Sequence, residues 1–274
     1  MIATAIRAEL VKQAHRPAGW LLLGIGALLT MTFAYLVPYV GLSDDTAGPG
    51  AELAMDTMLP GRFVGAAVGG LPVFVGALAL IYGVLVAGSE YGFDTWKAVL
   101  VQHPSRLRLY AAKLATVAAG TLTGVLVLFT VTALCSLLIA SLEDQPVVWP
   151  SASDIATGAG AAWLMATMWA TLGVALAIVL RSVALPIGLG LVWMLAVQNL
   201  LAAIGAPLVP FIADLQTYLP GPNAGALAAA VGASPQAPGV DAIVGAGHAT
   251  VVVTAYLVAF CALGGWLLHR RDIT

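Results

Sequence analysis

The sequence predicts an all-α polytopic membrane protein with six transmembrane helices, an N-terminal amphipathic interfacial helix, and both termini on the cytoplasmic side. Three observations carry this. Of 274 residues, 61% are hydrophobic and 9% are charged, against about 25% charged in an average soluble domain. Six stretches are long and apolar enough to cross a hydrocarbon core of ~30 Å, which takes about 20 helical residues. The basic residues segregate to one side of those stretches.

The six stretches are residues 18–40, 63–88, 114–140, 155–180, 183–205 and 247–268. Each must be helical, because lipid offers no partner for an open backbone N–H or C=O. Glycines and prolines within them, such as Gly69, Gly70, Pro72 and Pro186, are better tolerated in a membrane than in water. The first stretch exceeds the 7–15 apolar residues of a signal peptide and reads as a retained span.

Orientation follows from lysine and arginine. With the N-terminus inside, Arg7, Lys12, Arg16, Lys97, Arg106, Arg108, Lys113, Arg181, Arg270 and Arg271 are cytoplasmic and Arg62 alone is outside. The reverse orientation inverts that split.

The segments between spans carry their own signals. Residues 1–17 place Ile2, Ile6 and Leu10 at helical spacing, with Arg7, Lys12 and Arg16 off that stripe. This is an amphipathic helix lying in the inner interface. Residues 89–113 form an inner loop of singly placed charges with Trp96, Val99 and Leu100 between them, the make-up of an apolar docking anchor with a charged rim. Residues 206–246 form a long outer segment, rich in proline yet poor in charge. Short helices dipping back into the outer face suit it better than a disordered loop.

Several chemistries are absent. No Gly-x-x-x-x-Gly-Lys-[Ser/Thr] phosphate loop occurs, nor any Gly-Lys pair, so this chain has no ATP site of that kind. There is no His-Glu-x-x-His and no Gly-x-Ser-x-Gly, which leaves a metalloprotease or serine hydrolase without support. Cys135 and Cys261 stand singly in apolar runs and read as small buried hydrophobes, with no metal site implied. His15, His103, His248 and His269 are dispersed near span ends. The span interiors hold no ionisable residue, which argues against an ion-coupled carrier. Gln198 and Asn199 are the polar exceptions; they either hydrogen-bond between helices or face a transport path. Trp163, Trp169 and Trp193 likewise either pack between helices or offer an apolar surface to a substrate.

The loop after the second span resembles the cytoplasmic loop of ABC-2-type transporter permeases, the type V exporter-like membrane subunits. The matching positions are Glu90 at the inner end of the second span, then Thr95, then Pro104 and Arg106 in a Pro-x-Arg, then Lys113 opening the third span. The start, with Glu9, Lys12 and Arg16, is similar to that family's interfacial helix, and the ending Arg270-Arg271-Asp272-Ile273 to its terminus. The resemblance implies a single permease domain over residues 1–274, in a bacterial plasma membrane. It implies a complex of two permease chains, identical or homologous, with two copies of an ABC ATP-binding protein. ATP and Mg2+ would sit in that partner, with no cofactor and no catalytic residue here and no nucleic acid involved. Glu90, Thr95, Trp96, Val99, Leu100, Pro104, Arg106 and Lys113 are the ATPase-coupling set under this reading. The cargo would be a hydrophobic or amphipathic compound such as a drug, peptide antibiotic or lipid, moving outward. Two other classes stay open: a non-transporting membrane scaffold or sensor, and a lipid-modifying membrane enzyme, for which no interfacial His, Asp or Ser cluster is seen.

Overall fold

The computed structural model describes residues 2–43, 55–92, 105–202 and 209–270, all built from helices and turns. In chain order the helices are α1 (Ile2–Ala14), α2 (Pro17–Leu42), α3 (Phe63–Val68), α4 (Phe74–Gly92), α5 (Arg106–Leu142), α6 (Ala152–Leu180), α7 (Ala184–Leu200), α8 (Pro210–Gln216), α9 (Pro220–Ala230) and α10 (Ala246–Arg270). Five of them, α2, α4, α5, α6 and α10, are long and apolar enough to cross a membrane. The chain is thus a multi-pass membrane protein.

The expected fifth span, residues 183–205, overlaps α7, an apolar helix that continues as π-helix to residue 202, where the described residues stop. The expected second span, 63–88, is corrected. Its first part is α3, and the chain turns over residues 69–73 before α4 starts at Phe74. Pro72 has no N–H to give to Val68, and it pushes Leu71 away from the helical region. Val75 then closes on Gly70 O at 2.8 Å, one residue longer than an α-turn. The third span begins earlier than expected, so α5 runs 37 residues, or ~55 Å. The inner loop shrinks accordingly: Glu90 is helical on α4, and Lys113 lies inside α5.

Within α2, residues Thr32–Leu36 widen into a π-helix. Pro38 cannot donate to Ala34 O, and a local π-turn absorbs the missing bond.

Helix α6 is the axis of the bundle. It packs on α4, α10, α5, α7, α3 and α9, and its most apolar stretch is two-thirds buried, against 17% for α2. Ser151 caps its start, accepting from Asp154 N at 3.2 Å, which satisfies one orphan donor of the first turn. Its closest neighbour is α4. A Cβ on Gly83 would lie 1.8 Å from Ala170 O, and one on Gly173 would lie 2.1 Å from Leu80 O. The two backbones touch where both helices carry glycine, the small-residue packing membrane helices use in place of a hydrophobic drive.

Five helix ends gather at one end of the bundle. Tyr110, near the start of α5, donates to Cys261 O on α10 at 2.8 Å and lies against Gly264 and Gly265. The turn after α6 packs Ser182 and Val183 on Gly88 of α4. Helix α1 lies along α5. At the opposite end, Tyr39 donates to Glu143 at 2.7 Å, and Phe63 meets Phe129 and Trp149 edge to face. Between α7 and α10 run α8 and α9, and α9 packs on α10, α6 and α3. Asn223 is wholly buried and donates to Thr217 O and Leu219 O, both at 2.8 Å.

Helix α1 docks on the bundle through Ala5 and Glu9, which are buried, while Ile6 of the expected apolar stripe is half-buried and Leu10 exposed. A charged interaction occupies the protein side.

Candidate functional site

That interaction joins three helices. Glu9 and Lys12 come from α1, Glu90 from the last turn of α4, and Lys113 from the third turn of α5. Lys113 is fully buried, with its Nζ 2.6 Å from Glu90 Oε1 and 3.6 Å from Glu9 Oε1. It also donates to Val86 O at 3.1 Å. Lys12, the partly exposed member, reaches Glu9 Oε1 at 2.6 Å and Glu90 Oε1 at 2.9 Å. Two carboxylates and two ammonium groups alternate, so the cluster carries no net charge. This is what makes burial tolerable, since an unpaired charge out of water costs several kcal/mol. Arg16 extends the seam, donating to Ser89 Oγ at 2.8 Å and Leu85 O at 3.3 Å.

No group of three or more metal-ligating side chains occurs among the described residues. What the cluster can do is mechanical. It fixes the relative positions of α1, α4 and α5 through groups whose separation is costly, at the ends that flank residues 93–104.

Of the expected coupling residues, the structure brings Glu90 and Lys113 into direct contact. Arg106 is half-buried at the first residue of α5, too far along the helix to share that contact. Thr95, Trp96, Val99, Leu100 and Pro104 lie outside the described residues. Glu9 and Lys12 are cluster members that the loop-centred reading missed. The available signal was their i, i+3 spacing on a helix together with two unmatched charges at span ends.

The five residues considered for a substrate path are not gathered in one place. Trp169 is wholly buried where α6 meets α4, against Gly76. Trp163 sits at the surface and donates to Ala118 O of α5 at 2.8 Å. Trp193 is half-buried against the core. Gln198 is buried and accepts from Gly221 N at 2.7 Å, tying α7 to α9. Asn199 is exposed and bonds its own helix at Leu195 O, 2.9 Å away. None of the five lines a cleft of about 300 Å³ that opens between α1, α2, α4 and α5.

A family model described as ABC-2 family transporter protein matches residues 5–197. No curated protein matches the chain. The matched stretch takes in most of the sequence, with Glu9, Lys12, Glu90 and Lys113 all inside it. The chain therefore belongs to the ABC-2 transporter family, whose members are transmembrane subunits without an ATPase domain.

Proposed function

We propose that this subunit crosses the bacterial plasma membrane six times, with both ends cytoplasmic, and exports a hydrophobic or amphipathic compound. ATP would be hydrolysed with Mg2+ in a separate ATP-binding partner, two copies of which serve two permease chains. Family membership implies such a partner. The fifth crossing is α7. Its start follows the turn packed on the cytoplasmic end of α4, while Gln198 further along it meets α9, so the helix connects the two ends of the bundle. The basic residues Arg7, Lys12, Arg16, Arg106, Arg108, Lys113, Arg181 and Arg270 then share one side, as the positive-inside pattern requires.

The observation that carries the coupling part is the buried cluster of Glu9, Lys12, Glu90 and Lys113. It stands at the two helix ends between which residues 93–104 run, so a force applied to that stretch by a partner reaches α1, α4 and α5 together. Trp96, Val99 and Leu100 supply the apolar anchor for that partner, and residues 206–246 cap the outer face.

The test is co-expression with the ATP-binding subunit, affinity purification through the permease, and ATP hydrolysis in liposomes. Truncating an interface anchor costs about 2 kcal/mol or more, roughly a thirtyfold loss of affinity, while an exposed charge contributes ~0.2–1 kcal/mol. Trp96→Ala therefore releases the partner and Arg108→Ala retains it. Full co-purification and full coupling after changing Trp96, Val99 and Leu100 together to Ala would refute the docking assignment.

A further inference from the structure

The cleft between α1, α2, α4 and α5 is separate from every residue considered for transport. Its mouth is made by Leu10 and Gln13 of α1 and Trp20 of α2, and its deep end by Leu71, Val125 and Ala166. Small residues keep it open. A Cβ on Gly19 would meet nothing within 4 Å, and one on Gly124 would make only ordinary contact with Leu23 at 3.8 Å.

Depth decides what the cleft can hold. Along α5 it runs from Ala119 to Leu128, which at 1.5 Å per residue is ~14 Å. Half of a ~30 Å hydrocarbon core is about 15 Å. The cleft starts two turns beyond Lys113, the residue at the level of the charge cluster, and so spans one leaflet from its interface to its midplane.

The walls are apolar in effect. Thr121 and Thr123 are lining hydroxyls that donate to carbonyls of their own helix, at Val117 and Ala119, and Tyr82 turns its hydroxyl to Thr116 O. At the mouth, by contrast, the buried Nε2 of Gln13 has no hydrogen-bond partner among the described residues. Trp20 pins the lip by donating to Ala14 O at 2.8 Å. Residues 2–16 carry Arg7, Lys12 and Arg16 against Glu9 alone, so the interface beside the mouth is basic. An occupant needs a long apolar chain and a negative head group.

We propose that this cleft binds one acyl chain of an anionic phospholipid from the leaflet in which α1 lies, with the lipid's head group beside the basic residues of α1. Naming that leaflet the inner one rests on the N-in orientation proposed above; the site itself does not depend on transport.

The test uses the full chain in lipid nanodiscs, without nucleotide or partner. The probe is phosphatidylglycerol with a mid-chain diazirine, and cross-links are mapped by peptide mass spectrometry. The expected result is labelling of the segments 19–26, 78–82 and 119–125, displaced by unlabelled phosphatidylglycerol. Labelling at Leu134 and Leu138, which face outward on α5, resists that displacement. Gly19→Leu with Gly124→Leu fills the cleft and abolishes the first labelling while sparing the second. Should that variant not fold, displacement in the unmodified chain still decides. Cleft labelling no more displaceable than that at Leu134 and Leu138 overturns the site. Equal displacement by phosphatidylcholine overturns its preference for an anionic head. A transported amphiphile that displaces the probe where phosphatidylglycerol cannot overturns the choice of lipid. Each readout is independent of ATP hydrolysis, so loss of the exporter reading would leave the result standing.

Discussion

Lys113 Nζ and Glu90 Oε1 lie 2.6 Å apart, and neither side chain is more than 3% exposed. The pair holds the end of α4 against the start of α5, on the cytoplasmic side of the proposed topology. Removing one partner leaves Glu90 with Lys12 alone, or Lys113 with only the longer contact to Glu9, and unbalances the buried charge, at a cost of up to about 3–5 kcal/mol. Lys113→Met and Glu90→Gln are each expected to lower the melting temperature of the purified subunit sharply. Combining the two restores part of the loss, because the remaining groups are then neutral or still paired through Glu9 and Lys12. A thermal-unfolding cycle over the four proteins measures this, and additive losses would show that the two residues are not energetically linked.

Gly83 and Gly173 permit the backbone contact between α4 and α6. Gly83→Leu and Gly173→Leu force the helices apart at the centre of the bundle. Both variants should fall out of the folded fraction on size-exclusion chromatography. Gly160→Leu, at a position whose Cβ would meet nothing within 4 Å, should elute normally.

Gln198 is the one acceptor that the structure gives to Gly221 N, at 2.7 Å. Gln198→Leu leaves that part-buried amide without its bond, worth up to about 1–3 kcal/mol locally. Amide exchange should accelerate over residues 217–225 and stay unchanged in α6. Unaltered protection at Gly221 would mean the contact does not hold α7 to α9.

The orientation is tested by single cysteines in a background lacking Cys135 and Cys261. Cysteine in place of Asp144, beyond the far end of α5, should react with an impermeant maleimide in intact cells. Cysteine in place of Arg108, at the near end, should react only after permeabilisation. The reverse pattern would overturn the N-in arrangement.

Much of this architecture was legible because lipid makes simple demands. Long apolar runs could be nothing but helices, and α2, α4, α5, α6 and α10 overlap the expected stretches. The errors fell where a local backbone requirement competes with composition. The run 63–88 is uniformly apolar, so hydropathy carried straight through Pro72, whereas the missing N–H ends α3 there. At α1, spacing identified the amphipathic helix but not which face meets the protein. Burial of Glu9 depends on Glu90 and Lys113, residues about 80 and 100 positions away, and no local pattern encodes that meeting. Glu90 and Lys113 themselves were found through a family motif, which marks positions without stating that they touch. The cleft has no sequence signature, since its walls are ordinary glycines, alanines and leucines from four separate helices.

The alternating charges around Lys113 also bear on how the chain enters the membrane as it is made. Synthesis delivers the N-terminal parts first. Glu9 and Lys12 are three residues apart and pair within α1 itself. Glu90 and Lys113 belong to consecutive long helices, α4 and α5, so a single hairpin brings them together before α6 or α10 exists. Each carboxylate thus has an ammonium group available on the same or the next helix to emerge. Lys113 has Glu90, on the helix made just before its own, to pair with as α5 enters the bilayer.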